Sequence, residues 1–259
     1  MITHIHDINI GYEQLGQGKA PLVLIHGFGL DRTIWRAMAE QYLADYRVIL
    51  PDVRGHGESD APEGSYPMSL LASDLAGLLD LLEIEQAVVC GHSMGGYIAL
   101  AFAAQFPDRL AGLGLITTRA EADSPQKRAG RYELVEAVRE RGSMALAETL
   151  APRLSRDAEL VRRAYEMIAA TSPQGIIGAA LGMAERPDRT ALLSELNVPG
   201  LVVAGRKDQI INLEAARKMA ERLPMGEFRL IDDAGHLPMW EEPEMLGSVL
   251  DRFPKEIHF

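Results

Sequence analysis

The sequence contains a single cysteine, Cys90. No disulfide can therefore form within the chain, which excludes the small secreted proteins that depend on disulfides for stability. Cys90 lies inside an apolar run of residues. We therefore expect a buried, unreactive thiol there rather than a nucleophile.

Long apolar runs are also missing. No stretch approaches the roughly 18 uninterrupted apolar residues of a membrane-spanning helix. The first seven residues, 1–7, form neither a basic nor an apolar leader segment. We therefore expect a cytoplasmic protein that has no membrane partner.

Positive charge is the third feature in short supply. The chain has 26 Lys and Arg residues against 37 Asp and Glu residues, which gives a net charge of −11. Nucleic acids and anionic membrane surfaces are bound through basic surfaces, so we expect neither as a partner. A small-molecule ligand is the remaining expectation, and the sequence leaves the oligomeric state open.

The 259 residues instead show an alternation of short apolar runs with amphipathic helical patterns. Such runs are typical of strands that are buried on both faces of a parallel sheet. The pattern predicts an α/β fold with a mostly parallel central sheet and helices on both faces, and its ligands should bind where the strands end. The runs are residues 21–25, 46–50, 87–90, 110–116, 200–204 and 227–231.

Residues 119–189 interrupt the alternation. They carry at least three successive helical patterns with no apolar β-run between them. We predict a helical cap that is inserted in a core made of residues 1–118 and 190–259. An insertion of this kind either covers the sheet or acts as a lid over the site.

Ser93 stands in the segment Gly-His-Ser-Met-Gly, between the apolar run 87–90 and an Ala/Leu-rich helical pattern. This is a G-x-S-x-G motif in the strand, turn and helix setting that the motif requires. The glycines permit a sharp turn that exposes the serine where the strand ends. We predict that Ser93 is the nucleophile of an acyl transfer.

A serine nucleophile needs a base, and His236 directly follows the last apolar run. His26 lies near enough to the site to stay an alternative. His92 is expected to point away from Ser93, because it is the neighbour of Ser93 along the strand. The remaining histidines precede the core, lie in a glycine-rich turn or belong to the C-terminal tail: His4, His6, His56 and His258.

The base in turn needs a carboxylate partner. Asp208 follows the apolar run before His236, so the order along the chain is Ser, Asp, His. Asp123 follows the run 110–116 and stays the alternative. The other carboxylates either hold a glycine-rich loop or lie too close to His236 in the sequence: Asp52, Asp232 and Asp233.

An acyl transfer also needs two backbone N–H donors for the oxyanion. Met94, at the start of the helix after Ser93, is one candidate, and Phe28, in the His-Gly-Phe-Gly turn after the first apolar run, is the other. A hydroxyl, an imidazole and backbone amides suffice for this chemistry. We therefore expect neither a metal nor an organic cofactor.

Five segments in this order resemble the α/β-hydrolase superfamily: residues 26–29, 52–59, 91–96, 205–208 and 235–236. The resemblance extends over nearly the full length and implies the fold and a Ser93, Asp208, His236 triad. Haloalkane dehalogenases and epoxide hydrolases carry an aspartate where Ser93 stands, so both are disfavoured. The C–C hydrolases that cleave aromatic ring-fission products usually have a Gly-Pro-Gly-type extension where this chain has Phe28 to Asp31. This difference also argues against that group.

Of the remaining groups, the chain resembles the small carboxylesterases and the 3-oxoadipate enol-lactonases, which share the short helical lid and the His-Ser-Met-Gly-Gly turn. The resemblance therefore implies a serine hydrolase of esters or lactones, with an enol-lactonase of aromatic degradation or a slow-turnover small-molecule receptor as the alternatives. A lactonase that acts on acidic substrates needs a cation near the site. Arg119, Arg128 and Arg131 could serve, or they are ordinary solvated charges of the helices.

Overall fold

The structure, a computed structural model, describes residues 1–255 and 257, so His258 lies outside the described residues. Within these residues the chain forms an eight-stranded sheet in the order β1-β2-β4-β3-β5-β6-β7-β8. The first two strands are antiparallel to their neighbours, and all other neighbouring strands are parallel. The strands are β1 Ile2–Ile5, β2 Ile8–Leu15, β3 Pro21–Ile25, β4 Arg47–Pro51, β5 Ala87–His92, β6 Leu110–Ile116, β7 Gly200–Gly205 and β8 Gly226–Ile231.

Two pairs of helices pack against each other around the sheet, and a further set of helices lies between β6 and β7 along the chain. One group pairs α1 with α10, and another pairs α2 with α3. The predicted α/β fold is confirmed. The helices of the described chain are α1 Thr33–Tyr42, α2 Met68–Leu81, α3 Met94–Gln105, α4 Pro125–Arg141, α5 Met144–Leu154, α6 Ala158–Ala170, α7 Pro173–Ala184, α8 Leu213–Arg222, α9 Pro238–Glu241 and α10 Pro243–Lys255.

The strand order reverses next to β3. The chain passes from β3 to β4 on one side and then returns through α2 to β5 on the other side of β3. The loops after β3 and β5 therefore leave the sheet in opposite directions and open a crevice between them. Ligands of α/β sheets bind at such a crevice. The segments after these two strands, residues 26–29 and Ser93, are those that the sequence singled out.

Helices α4 to α7 follow one another between β6 and β7 without an intervening strand. Helix α4 packs against α7, and α5 packs against α6. Among the described residues no single helix is long and apolar enough to cross a membrane. Only the pair of α6 and α7, which meet at an angle of 100°, reaches that length and composition together.

A buried carboxylate ties the loop after β4 to the start of α1. Asp52 is fully buried and forms an ion pair with Arg32. It also accepts hydrogen bonds from the backbone amides of Arg32 and Glu58, both at 2.8 Å. The expectation that Asp52 holds a loop is confirmed, because every contact of its carboxylate is structural.

We expect Asp52→Asn to lower the free energy of unfolding by about 2 kcal/mol, because the guanidinium of Arg32 loses the fully buried one of its three carboxylate partners and keeps only Glu13 and the exposed Glu58. Urea unfolding followed by circular dichroism measures the change. Asp45→Asn, at an exposed position near the end of α1, is the control and should change stability by less than about 0.5 kcal/mol. Equal, small effects of both substitutions would contradict the structural role of Asp52.

Candidate active site

The backbone of Ser93 is strained. This residue joins β5 to α3 with φ 52° and ψ −112°, a conformation that side chains other than glycine rarely adopt. Its N–H donates to the carbonyl of Ile116 at 3.0 Å, and its carbonyl accepts from the hydroxyl of Thr118 at 2.6 Å. Both groups belong to β6 or the loop after it, so the neighbouring strand stabilises the sharp turn.

Two glycines make room for this turn. A Cβ atom at Gly91 would lie 2.1 Å from the carbonyl oxygen of Gly95, which no side chain could tolerate. A Cβ atom at Gly27 would lie 2.7 Å from the His92 ring and 3.4 Å from the Cβ of Ser93. The turn after β3 therefore packs directly against the serine.

The two expected oxyanion donors belong to the segments that meet at this turn. Met94 is the first residue of α3, and Phe28 follows Gly27 in the turn. His26 fixes the turn, because its Nδ1 donates to the Gly27 carbonyl at 2.8 Å and its Nε2 accepts from the Val53 amide at 3.0 Å. Burial lowers the pKa of His26, so the ring is neutral. Since both ring nitrogens are engaged, His26 lacks a free nitrogen that could act as a base.

His236 and Asp208 form a buried hydrogen bond. Nδ1 of His236 lies 2.9 Å from Oδ2 of Asp208, and the two side chains are 2% and 1% exposed. A carboxylate only accepts hydrogen bonds, so Nδ1 must carry the proton and donate it. Nε2 of the neutral ring is then left with its lone pair. This is the tautomer that a general base for a serine hydroxyl requires.

The environment of Asp208 favours the charged carboxylate. Burial raises the pKa of Asp208, whereas its interactions with His236 and the hydrogen bonds from two backbone amides lower it. These amides, of Ile210 and Ile211, donate to Oδ1 at 2.7 Å and 3.0 Å. The net result is a pKa below the ordinary value of an aspartate. Asp208 is therefore a fixed negative charge behind the imidazole.

Asp123, the alternative acid, has other partners. Its carboxylate pairs with Arg131 at 3.2 Å and with Arg186 at 3.0 Å. Burial raises the pKa of Asp123, but these two guanidinium groups lower it by more, so that the net pKa lies below the ordinary value of an aspartate. The structure thus brings Asp208 to His236 and places Asp123 between two arginines of the helical region.

The backbone of His236 is held from three directions. Its carbonyl accepts from Nε2 of His92 at 2.8 Å and from the hydroxyl of Thr117 at 3.2 Å. Its amide donates to the carbonyl of Leu154, at the end of α5, at 3.2 Å. One of these contacts thus joins the loop that carries His236 to the helices that follow β6.

His92, which was expected to point away from Ser93, lies beside His236. Its ring lies 4.9 Å from the ring of His236, between centroids, and lines the same cavity. Burial and the neighbouring His236 lower the pKa of His92 to about 3, so the ring stays neutral. The sequence contained one signal for the position of His92, since this histidine ends a buried strand next to Ser93.

Glu241 is a second residue that sequence reasoning missed. Its carboxylate accepts from the amides of Gly235 and Leu237, at 2.7 Å and 3.1 Å, on either side of His236. The hydroxyl of Ser155 also donates to it at 2.6 Å. Glu241 therefore fixes the loop that carries the histidine. Nothing in its sequence position, within a short helix after the loop, indicates this function.

Ser93 and His236 line one cavity of about 340 Å³. Phe28 and His92 form part of its wall on the sheet side, and helices α4, α5 and α7 contribute most of the rest. A volume of this size suits a small molecule. Within the described chain, no group of three or more His, Cys, Asp and Glu side chains is placed to hold a metal ion.

The fold and this site together define a known class of protein. The sequence model of the alpha/beta hydrolase fold matches residues 20–243. The chain therefore belongs to the alpha/beta hydrolase fold family, as the resemblance of its motifs implied.

Individual relatives include hydrolases of esters and lactones. A 3-oxoadipate enol-lactonase of Acinetobacter baylyi is 28% identical over 97% of this chain and 95% of its own. A thermophilic esterase from Thermogutta terrifontis, solved with malate bound, is 42% identical and superposes with a TM-score of 0.93 over 97% of this chain and 95% of its own. The enol-lactonase from Burkholderia xenovorans LB400 is 27% identical, with a TM-score of 0.89 over 98% of this chain and 100% of its own.

We expect His236→Phe to raise the pKa of Asp208, because the substitution removes the partner that lowers this pKa while the carboxylate stays buried. Carbon-detected NMR titration of the carboxyl groups measures the change. Asp233, whose pKa is lowered by Lys207 on the exposed surface, is the internal control and should titrate as before. An unchanged Asp208 titration would show that the hydrogen bond to His236 contributes little.

Proposed function

We propose that the protein hydrolyses carboxylic esters or lactones through an acyl-enzyme on Ser93, with His236 as the base and Asp208 as its partner. The observation that carries the proposal is the buried hydrogen bond between His236 and Asp208, which leaves Nε2 free in the cavity that Ser93 also lines. The strained turn at Ser93 and the membership in a hydrolase family support it.

The expected reaction has two halves. The Ser93 hydroxyl attacks the substrate carbonyl while Nε2 of His236 takes its proton, and Asp208 stabilises the imidazolium that forms. The amides of Phe28 and Met94 then donate to the oxyanion. When the intermediate collapses, the C–O bond to the alkoxide breaks and His236 returns the proton to it. Water, activated by the same histidine, releases the acid and restores the serine.

Esters and lactones pass through the same steps. In a lactone the leaving alkoxide stays attached to the acyl group, whereas in an ester it departs. The esterase and the two enol-lactonases among the relatives support both substrate types. A receptor with this fold would show slow, single-turnover hydrolysis, so sustained turnover distinguishes an enzyme from that alternative.

We also propose that residues 119–189 act as a cap over the cavity. Ten of the residues that line the cavity belong to this segment, from Arg119 to Met183. The contact of Leu154 with the His236 amide supports a direct connection between the cap and the catalytic loop. A cavity of this volume suits a small-molecule substrate.

Ser93→Ala tests the nucleophile. We expect the substitution to abolish covalent labelling by an organophosphonate and the turnover of p-nitrophenyl esters, because no other hydroxyl is activated by His236. Mass spectrometry of the labelled protein and spectrophotometric release of nitrophenol are the measurements. Ser69→Ala, at an exposed position near the start of α2, is the control and should leave labelling intact. Labelling that persists in Ser93→Ala would refute the proposed acyl-enzyme.

Asp208→Asn tests the acid. The amide cannot hold the proton on Nδ1 of His236 in the required tautomer, so we expect kcat to fall by about 10⁴-fold. Asp233→Asn is the matched control in the same region, because Asp233 is an exposed carboxylate paired with Lys207, and should keep activity within about twofold. A loss of similar size in both variants would point to a general electrostatic effect instead.

A further inference from the structure

A second cavity lies beside the one that Ser93 and His236 line. It has a volume of about 220 Å³ and is bounded by the start of α2, by α3, and by the end of α7 with the loop after it. Of the residues that the structure describes, only Tyr97 and Arg119 line both cavities. These two side chains therefore form the wall that the two cavities share.

The inner part of the second cavity is apolar. Four of its lining residues are buried and have aliphatic or thioether side chains: Met68, Leu100, Ala101 and Ala120. Glu185 and Pro187 also belong to the lining but are exposed, so the cavity opens to solvent on their side. A hydrocarbon chain is favoured in such a space, because both the chain and the apolar lining leave water when they meet.

Tyr97 stands between Ser93 and the second cavity. Ser93 immediately precedes α3 and Tyr97 is the fourth residue of that helix, so the tyrosine lies about one turn after the serine. Tyr97 is only 8% exposed, although it lines two cavities. Its ring therefore fills space that would otherwise join them.

The ring of Tyr97 is held by a cation on its face. The guanidinium carbon of Arg186 lies 4.0 Å from the centroid of the tyrosine ring. A guanidinium group above an aromatic face is attracted by the negative face of the ring, and the attraction is larger where water is excluded. Arg186 therefore opposes any rotation of Tyr97 out of the wall.

Arg186 is itself fixed by buried partners. Its side chain is 4% exposed and forms an ion pair at 3.0 Å with Asp123, which is 2% exposed. Its Nη1 donates to the carbonyl of Met183 at 2.8 Å, and its Nη2 donates to the carbonyl of Glu121 at 2.9 Å. The guanidinium group thus has little freedom to move, and the wall that it supports is rigid.

An ester bound at Ser93 has an acyl chain and an alkoxy chain, which leave the carbonyl carbon in different directions. A cleft of about 400 Å³ between α4 and α5 adjoins the cavity and provides room for one chain. The cleft shares four lining residues with the cavity: Phe28, Arg131, Leu134 and Arg153. A chain that is directed toward α3 instead meets Tyr97.

We propose that Tyr97 limits the length of one of the two chains of the substrate, so that the preferred esters carry a short alkyl chain on that side. This inference rests on the proposed function, because it assigns the substrate class of the same site. A longer chain would have to displace a ring that Arg186 holds in place, and forcing extra methylenes into a packed site is unfavourable. Truncation of Tyr97 should join the two cavities and remove the limit.

Two pairs of esters, each differing by four methylenes, test the limit. Butyrate and octanoate esters of p-nitrophenol vary the acyl chain, and ethyl and hexyl acetate vary the alkoxy chain. In one pair we expect wild-type kcat/KM to favour the short ester, and Tyr97→Ala to raise the ratio of long to short at least tenfold. Each methylene that enters the second cavity contributes about fourfold, so two of the four suffice. The pair that responds identifies the chain that faces Tyr97.

Tyr97→Phe is the matched variant, because it keeps the ring and removes only the hydroxyl. The ratio of long to short ester should stay within about twofold of the wild-type value. Tyr132→Ala removes a tyrosine that is 37% exposed on α4, and should likewise leave the ratio unchanged. If Tyr97→Ala does not fold, Tyr97→Leu keeps apolar packing on α3 and should raise the ratio by about threefold.

Refilling the second cavity separates a new binding space from a general loosening of the site. Ala101 lines the second cavity and not the cavity of Ser93. Ala101→Phe, added to Tyr97→Ala, should return the ratio of long to short ester toward the wild-type value, since the new ring occupies the space. A gain that survives this second substitution would show that the second cavity does not receive the chain.

The outcomes for the two proposals are distinct. Ratios that Tyr97→Ala leaves unchanged in both pairs of esters, with turnover intact, would overturn the role of Tyr97 and leave the hydrolase proposal standing. Absence of turnover in the wild-type protein, together with absence of phosphonate labelling on Ser93, would overturn both.

Discussion

The backbone of Ser93 is the constraint on which the site depends. A serine with a φ of 52° is not maintained by its own preferences, and strain of this kind persists only when the surrounding structure imposes it. Ile116 and Thr118 bond to the backbone of Ser93 from the adjoining strand and loop, and Gly27 lets the turn after β3 press against it. The central strands of the sheet thus fix the direction in which the hydroxyl points.

Neutral, buried histidines provide much of the remaining order. Burial lowers the pKa of His26, and the pKa values of His56 and His92 are lowered to about 3 by burial and by a neighbouring histidine. Each of these rings interacts with a backbone carbonyl, at Gly27, Arg54 and His236 respectively. Because they stay uncharged, they can organise the turns around the loop of His236 without adding positive charge next to that residue.

Much of the fold could be predicted because it follows from local patterns. Apolar runs marked the parallel strands, and the glycines around Ser93 marked the turn. What could not be predicted depends on contacts between distant segments. The carbonyl of His236 meets His92, which is 144 residues away, and Glu241 acts through amides that its own sequence context does not reveal. The direction of a side chain at the end of a strand is likewise fixed only by the packing around it.

The two aspartates that competed for the role of acid show how partners define function. Both follow a parallel strand, and both have a pKa below the ordinary value. Asp208 has one ionisable partner, His236, so its charge acts on the imidazole. Asp123 faces two permanent guanidinium charges, Arg131 and Arg186, and its field is largely cancelled by them. A carboxylate paired in this way would stabilise a nearby imidazolium only weakly. Its negative charge instead offsets the repulsion between the arginines, so that several cations can lie around one small cavity.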